Sequence, residues 1–232
     1  MKALDAEALK RRAAEAAFAQ VESGMVLGLG TGSTVAHLLD LLGEALASGA
    51  LADVVGVPTS LQTERHAGRV GIPLVALADR SRIDLTVDGA DEVSPELDLI
   101  KGAGGALLRE KMVAQASERL VIIADERKLV HRLGTLSALP IEVVSWGWEA
   151  HVAFLRAWDG DAVLRVSADG APVRSDNGQL FLDCRFEGGI VDPDALERAL
   201  AARAGIVESG LFLGLADEAL IASADGVERR RR

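Results

Sequence analysis

Short, continuously apolar runs that alternate with helix-period segments constrain this chain more than any other feature. "MVLGLG", "DVVGVP", "IDLTV" and "RLVIIAD" are apolar at successive positions, and "TVAHLLDLLGEAL", "LQTERHAGRVG" and "ALLREKMVAQASE" between them carry apolar residues at helical spacing. A strand that is hydrophobic on both faces must be covered on both, and the alternating helices supply that cover. The spacing therefore predicts an α/β fold with a mostly parallel, Rossmann-like sheet flanked by helices. The opening segment adds a helix, with Leu4, Ala8, Leu9, Ala13, Ala16, Ala17, Phe18 and Val21 roughly at helical spacing, and "IPLVAL" reads as a further strand.

The texture changes near residue 131. "IEVVS" reads as a strand, "WEAHVAFLRAW" as a helix, and "AVLRVS" and "GQLFLDCRF" as strands on either side of "SDNG". "VDPDALERALAARAG" starts on the cap Asp192 and Pro193 and stops at Gly205, and "IVESGLF" supplies one more strand. That β-α-β-β-α-β order is the ferredoxin-like pattern of a small α+β domain. With "EALIAS" rejoining the first sheet, the small domain is an insertion: 1–130 and 208–232 form the large domain, and 131–207 the small one.

A formal net charge of -10 disfavours nucleic acid and anionic membranes as partners, since both repel such a surface. The C-terminal "RRRR" is a local exception that reads as a frayed tail. The one cysteine, Cys184, has no partner for an intramolecular disulfide, and the histidines at 37, 66, 131 and 151 show no zinc-binding spacing. The N-terminus is too charged for a signal sequence, and no segment is long and apolar enough to span a bilayer. A cytoplasmic protein is the expectation.

In a parallel α/β sheet, ligands bind beyond the carboxyl ends of the strands. Three loops should emerge there. "GLGTGST" (Gly28 to Thr34) joins a strand to a helix, and its glycines and helix N-terminus suit a small phosphate; it has neither the lysine of a P-loop nor the GxGxxG spacing of a dinucleotide site. "VDGADE" concentrates Asp88, Asp91 and Glu92 at a strand end. Carboxylates there hold magnesium or accept hydrogen bonds from sugar hydroxyls. With lysines rather than further acids nearby, hydroxyl binding and proton handling are the better reading, and Glu92 reads as a solvated or helix-facing neighbour. "ADERKLV" ends another strand with Lys128. "IKGAGG" adds Lys101, which suits charge developing on a substrate oxygen, and "LLREK" puts Glu110 on a helix, where burial would move its pKa toward neutrality and make it a general base. Together these point to a small, anionic, polyhydroxylated ligand.

The ordered set "GTGST", "VDGADE", "IKGAGGALLREK" and "ADERK", with "LPIEV", "SDNG" and "ADEALIASADGV" further on, closely resembles the type A ribose-5-phosphate isomerases. The resemblance implies interconversion of D-ribose 5-phosphate and D-ribulose 5-phosphate in the non-oxidative pentose phosphate pathway, with no metal and no cofactor. It implies that Thr31, Gly32, Ser33 and Thr34 bind substrate, mainly around the phosphate, assisted by Lys10 and Lys128. Asp88 and Asp91, with Gly89 and Ala90 keeping the turn narrow, would contact sugar hydroxyls and help open the ring. Lys101, Gly102, Ala103 and Gly104 match the lysine–glycine loop, and Glu110 matches the catalytic base.

Two positions depart from that pattern. Ala103 stands where many members have glycine, so either its φ is negative or the loop differs. "DERK" replaces a commoner "D-x-S-K" before Lys128. The family is generally a homodimer or homotetramer, and the tryptophan-bearing small domain is a plausible contact surface, although Trp146, Trp148 and Trp158 would equally serve as core. A non-catalytic sugar-phosphate sensor would need a DNA-binding module for which the single N-terminal helix is too short. An aminosugar-phosphate deaminase or a coenzyme A transferase would share the fold, and the set of Lys101, Glu110 and the aspartate pair favours the isomerase over both.

Overall fold

The computed structural model describes residues 5–79 and 82–232; Leu4 lies outside them. The elements of the first half are α1 (Ala6–Phe18), β1 (Val26–Leu29), α2 (Ser33–Ser48), β2 (Val55–Pro58), α3 (Leu61–Arg69), β3 (Leu85–Asp88), β4 (Glu92–Val93), β5 (Leu99–Ile100) and α4 (Leu107–Gln115). There follow β6 (Leu120–Asp125), β7 (Leu139–Val143), α5 (Glu149–Arg156), β8 (Gly160–Leu164), β9 (Leu180–Phe186), α6 (Pro193–Ala201), β10 (Ile206–Ser209), β11 (Leu211–Phe212), β12 (Glu218–Ser223) and β13 (Gly226–Arg231). Among the described residues no helix is long and apolar enough to cross a membrane.

The chain divides into two compact units, Met1–Ala90 with Arg109–Lys128 and Leu215–Arg232, and Asp91–Leu108 with Leu129–Gly214. The first holds a six-stranded sheet of order β13-β12-β6-β3-β1-β2, parallel except for β13. Its core is the doubly apolar strands and the inward faces of α1 and α2, with Leu29, Leu42, Leu85 and Val121 all but inaccessible to solvent. Asp5 caps α1 by accepting a hydrogen bond from the Ala8 N–H at 2.8 Å, and Ser60 caps α3 in the same way.

Two expectations fail in this unit. "IPLVAL" forms no strand: a single bridge joins Leu74 to Gly56, and a 3-10 turn follows at Leu77–Asp79. Pro73 has no N–H to donate, so the pairing does not extend. The arginine run is not frayed, because it is β13, paired residue by residue with β12. The buried Glu218 fixes it, accepting hydrogen bonds from Arg231 Nε at 3.2 Å and Gln20 Nε2 at 2.7 Å and forming an ion pair with Arg229 Nε at 3.0 Å.

In the second unit β7, α5, β8, β9, α6 and β10 follow the expected β-α-β-β-α-β order and build an antiparallel sheet of order β10-β7-β9-β8. "IVESGLF" breaks at Gly210 into two strands of different sheets, since β11 pairs with β5 beside β4. A Cβ on Gly210 would stand 2.2 Å from the Lys101 carbonyl oxygen, so only glycine permits the crossing. Residues 91–108 and 208–214, on the large-domain side of the expected boundary, fall in this second compact unit, where β4, β5 and β11 form a three-stranded sheet of their own. Trp148 and Trp158 pack against the core of this unit, whereas Trp146 is 89% exposed. Cys184 lies in that core, and burial pushes its thiol pKa up to about 12, so it stays protonated and inert.

Glu92 is the clearest correction. It is buried, not solvated, and its carboxylate accepts the backbone N–H groups of Gly134 at 2.6 Å, Leu136 at 2.6 Å and Ser137 at 2.5 Å. It therefore ties down a loop more than forty residues away in sequence.

His151 of α5 is also buried, accepting from Arg203 Nε at its Nδ1 (3.0 Å). Burial, and then the charge of Arg203, hold its pKa below the usual histidine value. The unfolded chain takes up a proton near pH 6.5 that the folded state refuses, so this group's contribution to stability falls as pH drops below about 6.5. The urea midpoint is expected to decline between about pH 7.5 and 5.5, and the decline should be shallower in His151→Gln. An identical slope in the variant would assign the effect elsewhere.

Candidate active site

The phosphate-type loop is built by close approach. β1, β3 and β6 are neighbours in the sheet, so Gly30, Asp88 and Asp125 all lie at carboxyl ends of adjacent parallel strands, as the strand-end argument requires. A Cβ on Gly30 would come within 2.2 Å of Asp88 Oδ1 and 2.6 Å of Asp88 Cα. Its absence lets the buried Asp88 carboxylate sit against the loop, where Oδ1 accepts the N–H of Thr31 at 3.1 Å and of Gly89 at 2.7 Å. Two fixed donors set the carboxylate's orientation before any ligand arrives.

Thr31 faces inward, with its hydroxyl donating to Ser60 Oγ at 2.8 Å. Ser60 donates to Thr63 Oγ1 at 3.0 Å, and Thr63 to the Gly30 carbonyl at 2.8 Å. Thr59 Oγ1 lies 2.8 Å from Thr31 Oγ1 and donates to the Leu29 carbonyl at 2.9 Å. The structure thus uses the polar groups of Thr31 to hold the loop. Sequence reading missed Thr59, Ser60 and Thr63; the signal was the Ser-x-x-Thr spacing that opens α3. Gly32, with φ of 125°, is the N-cap of α2, and the exposed Ser33 and half-buried Thr34 form its first turn with open backbone donors.

Glu110 and Lys111 are both buried, each 4% exposed, in a charged triplet that would ordinarily face water. The reason is the packing of α4. Val113, one turn after Glu110, lies over β1 at Gly28, where a Cβ would meet Val113 Cγ1 at 2.7 Å and Thr86 Oγ1 at 1.8 Å. Val113 also packs with Val57 and Ile83. Residues three apart share a helix face, so seating Val113 turns Glu110 inward.

In the second unit Lys101 is 3% exposed, its Nζ 5.4 Å from the centroid of Phe212. Its backbone N–H donates to the Gly210 carbonyl at 2.9 Å. Gly102 takes φ of 105° and Gly105 φ of 77°, whereas Ala103 is absent from the positive-φ positions, so the turn places its left-handed residues on either side of the alanine. Ala103 is thereby tolerated, and its N–H donates to Asp91 Oδ2 at 2.9 Å. Ala103 and Gly104 are exposed, Ala90 and Asp91 half-buried.

Lys10 is half-buried on α1, bonded to Glu7 at 2.6 Å. Lys128 ends a 3-10 turn after β6, Glu126–Lys128. The "DER" departure has a local explanation: Arg127 grips the buried Asp125 through Nε at 2.7 Å and Nη2 at 2.8 Å and holds its carboxyl below the usual carboxylate range. Among the described residues no group of three or more His, Cys, Asp or Glu side chains is arranged to hold a metal ion.

Comparison with known proteins gives a consistent picture. Residues 55–226 match the family model described as ribose 5-phosphate isomerase A (phosphoriboisomerase A). Ribose-5-phosphate isomerase A of Chloroflexus aurantiacus is 53% identical over 228 residues, covering 98% of this chain and 95% of that protein. Probable ribose-5-phosphate isomerase 3, chloroplastic, of Arabidopsis thaliana is 46% identical, covering 97% and 84% respectively. A solved D-ribose-5-phosphate isomerase in complex with phospho-erythronic acid superposes with a TM-score of 0.95 at 40% identity, covering 99% of this chain and 100% of that one.

Proposed function

We propose, since the chain belongs to the ribose 5-phosphate isomerase A family and interconverts ribose 5-phosphate and ribulose 5-phosphate, that Glu110 is the base that moves the proton between C2 and C1. The observation that carries this role is a carboxylate held 4% exposed on α4 by the seating of Val113. Glu110 takes the C2 proton of the opened aldose and returns it to C1 of a cis-enediolate, while Lys101 balances the charge on the substrate oxygen. Asp88, oriented by two backbone N–H groups, and Asp91 contact the sugar hydroxyls, open the ring and pass the hydroxyl proton between O1 and O2.

The first turn of α2, with Gly32, Ser33 and Thr34, receives the phosphate, and Thr31 holds that turn in place from behind. Lys10 and Lys128 add positive charge toward the phosphate, and Gly89, Ala90, Gly102, Ala103 and Gly104 shape the turns around the sugar. A single base serving adjacent carbons, with a lysine for the developing charge, requires neither metal nor hydride carrier. Full activity with ribose 5-phosphate is accordingly expected in EDTA. Assays run in parallel with allose 6-phosphate and glucosamine 6-phosphate would define selectivity; loss of activity in EDTA with recovery on adding magnesium would instead make Asp88 and Asp91 metal ligands.

The protein works as a cytoplasmic homodimer or homotetramer, with no nucleic-acid or membrane partner. The segments 1–130 and 208–232 carry the isomerase chemistry, and the small domain, 131–207, carries the contact between copies. Exposed Trp146, Val163 and Val191 on the small domain support that contact surface.

A further inference from the structure

We propose that Arg165 is a positioning residue for the isomerisation, acting through the Lys101–Gly104 loop; the inference rests on the part assigned to that loop above. Arg165 lies just past β8, and neither the charge pattern nor the site motifs of the sequence draw attention to it. Its guanidinium donates in two directions at once. Nε and Nη2 bond the two carboxylate oxygens of Asp183, at 2.8 and 2.5 Å, and Nη1 bonds the carbonyl oxygens of both Gly102 and Ala103, at 3.2 Å each.

The fork is itself held from a third side. Arg165 Cζ lies 4.7 Å from the centroid of the fully buried Phe181, and the same ring closes the space at Gly105, where a Cβ would stand 3.5 Å from it. The arginine is thus a rigid plate under the loop rather than a solvated charge. An ammonium group could not reproduce a planar fork that bonds a carboxylate along one edge and two carbonyls along the other.

The consequence for the loop follows from peptide geometry. A trans peptide sets its C=O and N–H on opposite sides. Drawing the Gly102 and Ala103 carbonyls onto the guanidinium turns the N–H groups of Ala103 and Gly104 away from it, and the Ala103 N–H indeed meets Asp91 Oδ2. The positive charge at the carbonyl ends also polarises these peptides and strengthens their N–H groups as donors. Arg165 and Asp91 therefore brace opposite sides of one peptide unit next to Lys101. Arg165 fixes the register of the lysine and of the Gly104 N–H, the donor of the pair that Asp91 does not engage and that can face an oxyanion.

The test compares kcat and KM for ribose 5-phosphate, and the Tm, in wild type, R165Q, R165K, K101M and the R165Q/K101M double variant. R165Q is expected to lower kcat and kcat/KM together by roughly 10- to 100-fold, the scale of a misplaced catalytic group. R165K should not rescue it. In the K101M background the R165Q change should cost little more, because the loop's charged member is already gone. Losses that multiply independently in the double variant, or an R165Q enzyme with wild-type kcat beside an impaired K101M, overturn the proposal alone. A fully active K101M overturns the role of the loop and this inference with it. Should R165Q not fold, Asp183→Asn carries the test: it leaves Arg165 on Phe181 but removes the charge that orients it, and wild-type kcat there would also overturn the proposal.

Discussion

Glu110→Gln is expected to lower kcat and kcat/KM for ribose 5-phosphate by about 10²- to 10⁴-fold, the usual contribution of a positioned general base. The substitution is nearly isosteric, and the helix face that buries residue 110 is set by Val113 against the strand at Gly28, which the change does not touch. The melting temperature should therefore hold, and so should affinity for ribose 5-phosphate, measured by calorimetry. Those two controls separate lost proton transfer from a lost fold or a lost site. Exchange of the substrate's C2 proton with solvent deuterium should stop in parallel with turnover. A variant that turned over near the wild-type rate would remove Glu110 from the mechanism. A variant with weakened ligand binding in proportion to its lost rate would make it a binding group instead.

The second large effect concerns stability. Glu92→Ala removes a buried carboxylate that accepts three backbone N–H groups from the 134–137 loop. Each stranded donor costs about 1–3 kcal/mol, so a loss of at least ~3 kcal/mol in urea unfolding is expected. Glu92→Gln should lose less. It keeps an oxygen for Leu136 and Ser137, which share Oε1, and presents an amide to the Gly134 N–H in place of Oε2. Equal stability of the alanine variant and the wild type would mean that the loop finds water as readily as it finds the carboxylate.

The contrast between Glu92 and its neighbours shows what a single sequence can tell. The doubly apolar runs announced the parallel strands, because burial on both faces leaves a composition that nothing else needs. Asp88 stood out as a candidate because a carboxylate ends such a run, and the structure buries it against the Gly30–Thr31 loop. Glu92, four residues on, has the same chemistry, and its partners are the backbone of a distant loop with no side-chain signature. Tertiary pairing of that kind leaves no local trace.

The same limit hid the hydroxyl relay behind Thr31 and the brace of Arg165, both assembled from residues far apart in the chain. Glu110 was partly legible. Its neighbours Arg109 and Lys111 disguise a buried face as a solvated one, and only the glycine at position 28, which admits Val113, reveals which way the helix turns. "IVESGLF" failed for a simpler reason: apolar character persists across Gly210 while the backbone changes sheets there.

The arginine strand β13 has a consequence for how the folded protein behaves at high concentration. It is the outermost strand of the six-stranded sheet, and an outermost strand offers a row of unpaired peptide groups along which another molecule's strand could add. Here that row is lined by Glu228, Arg229, Arg230 and Arg231, with Arg229 and Arg231 anchored on Glu218 so that their charge stays at the border. An incoming strand would have to desolvate those guanidinium groups or match them with acids of its own. The run that resembled a loose end therefore acts as a guard that disfavours the addition of a further strand along β13.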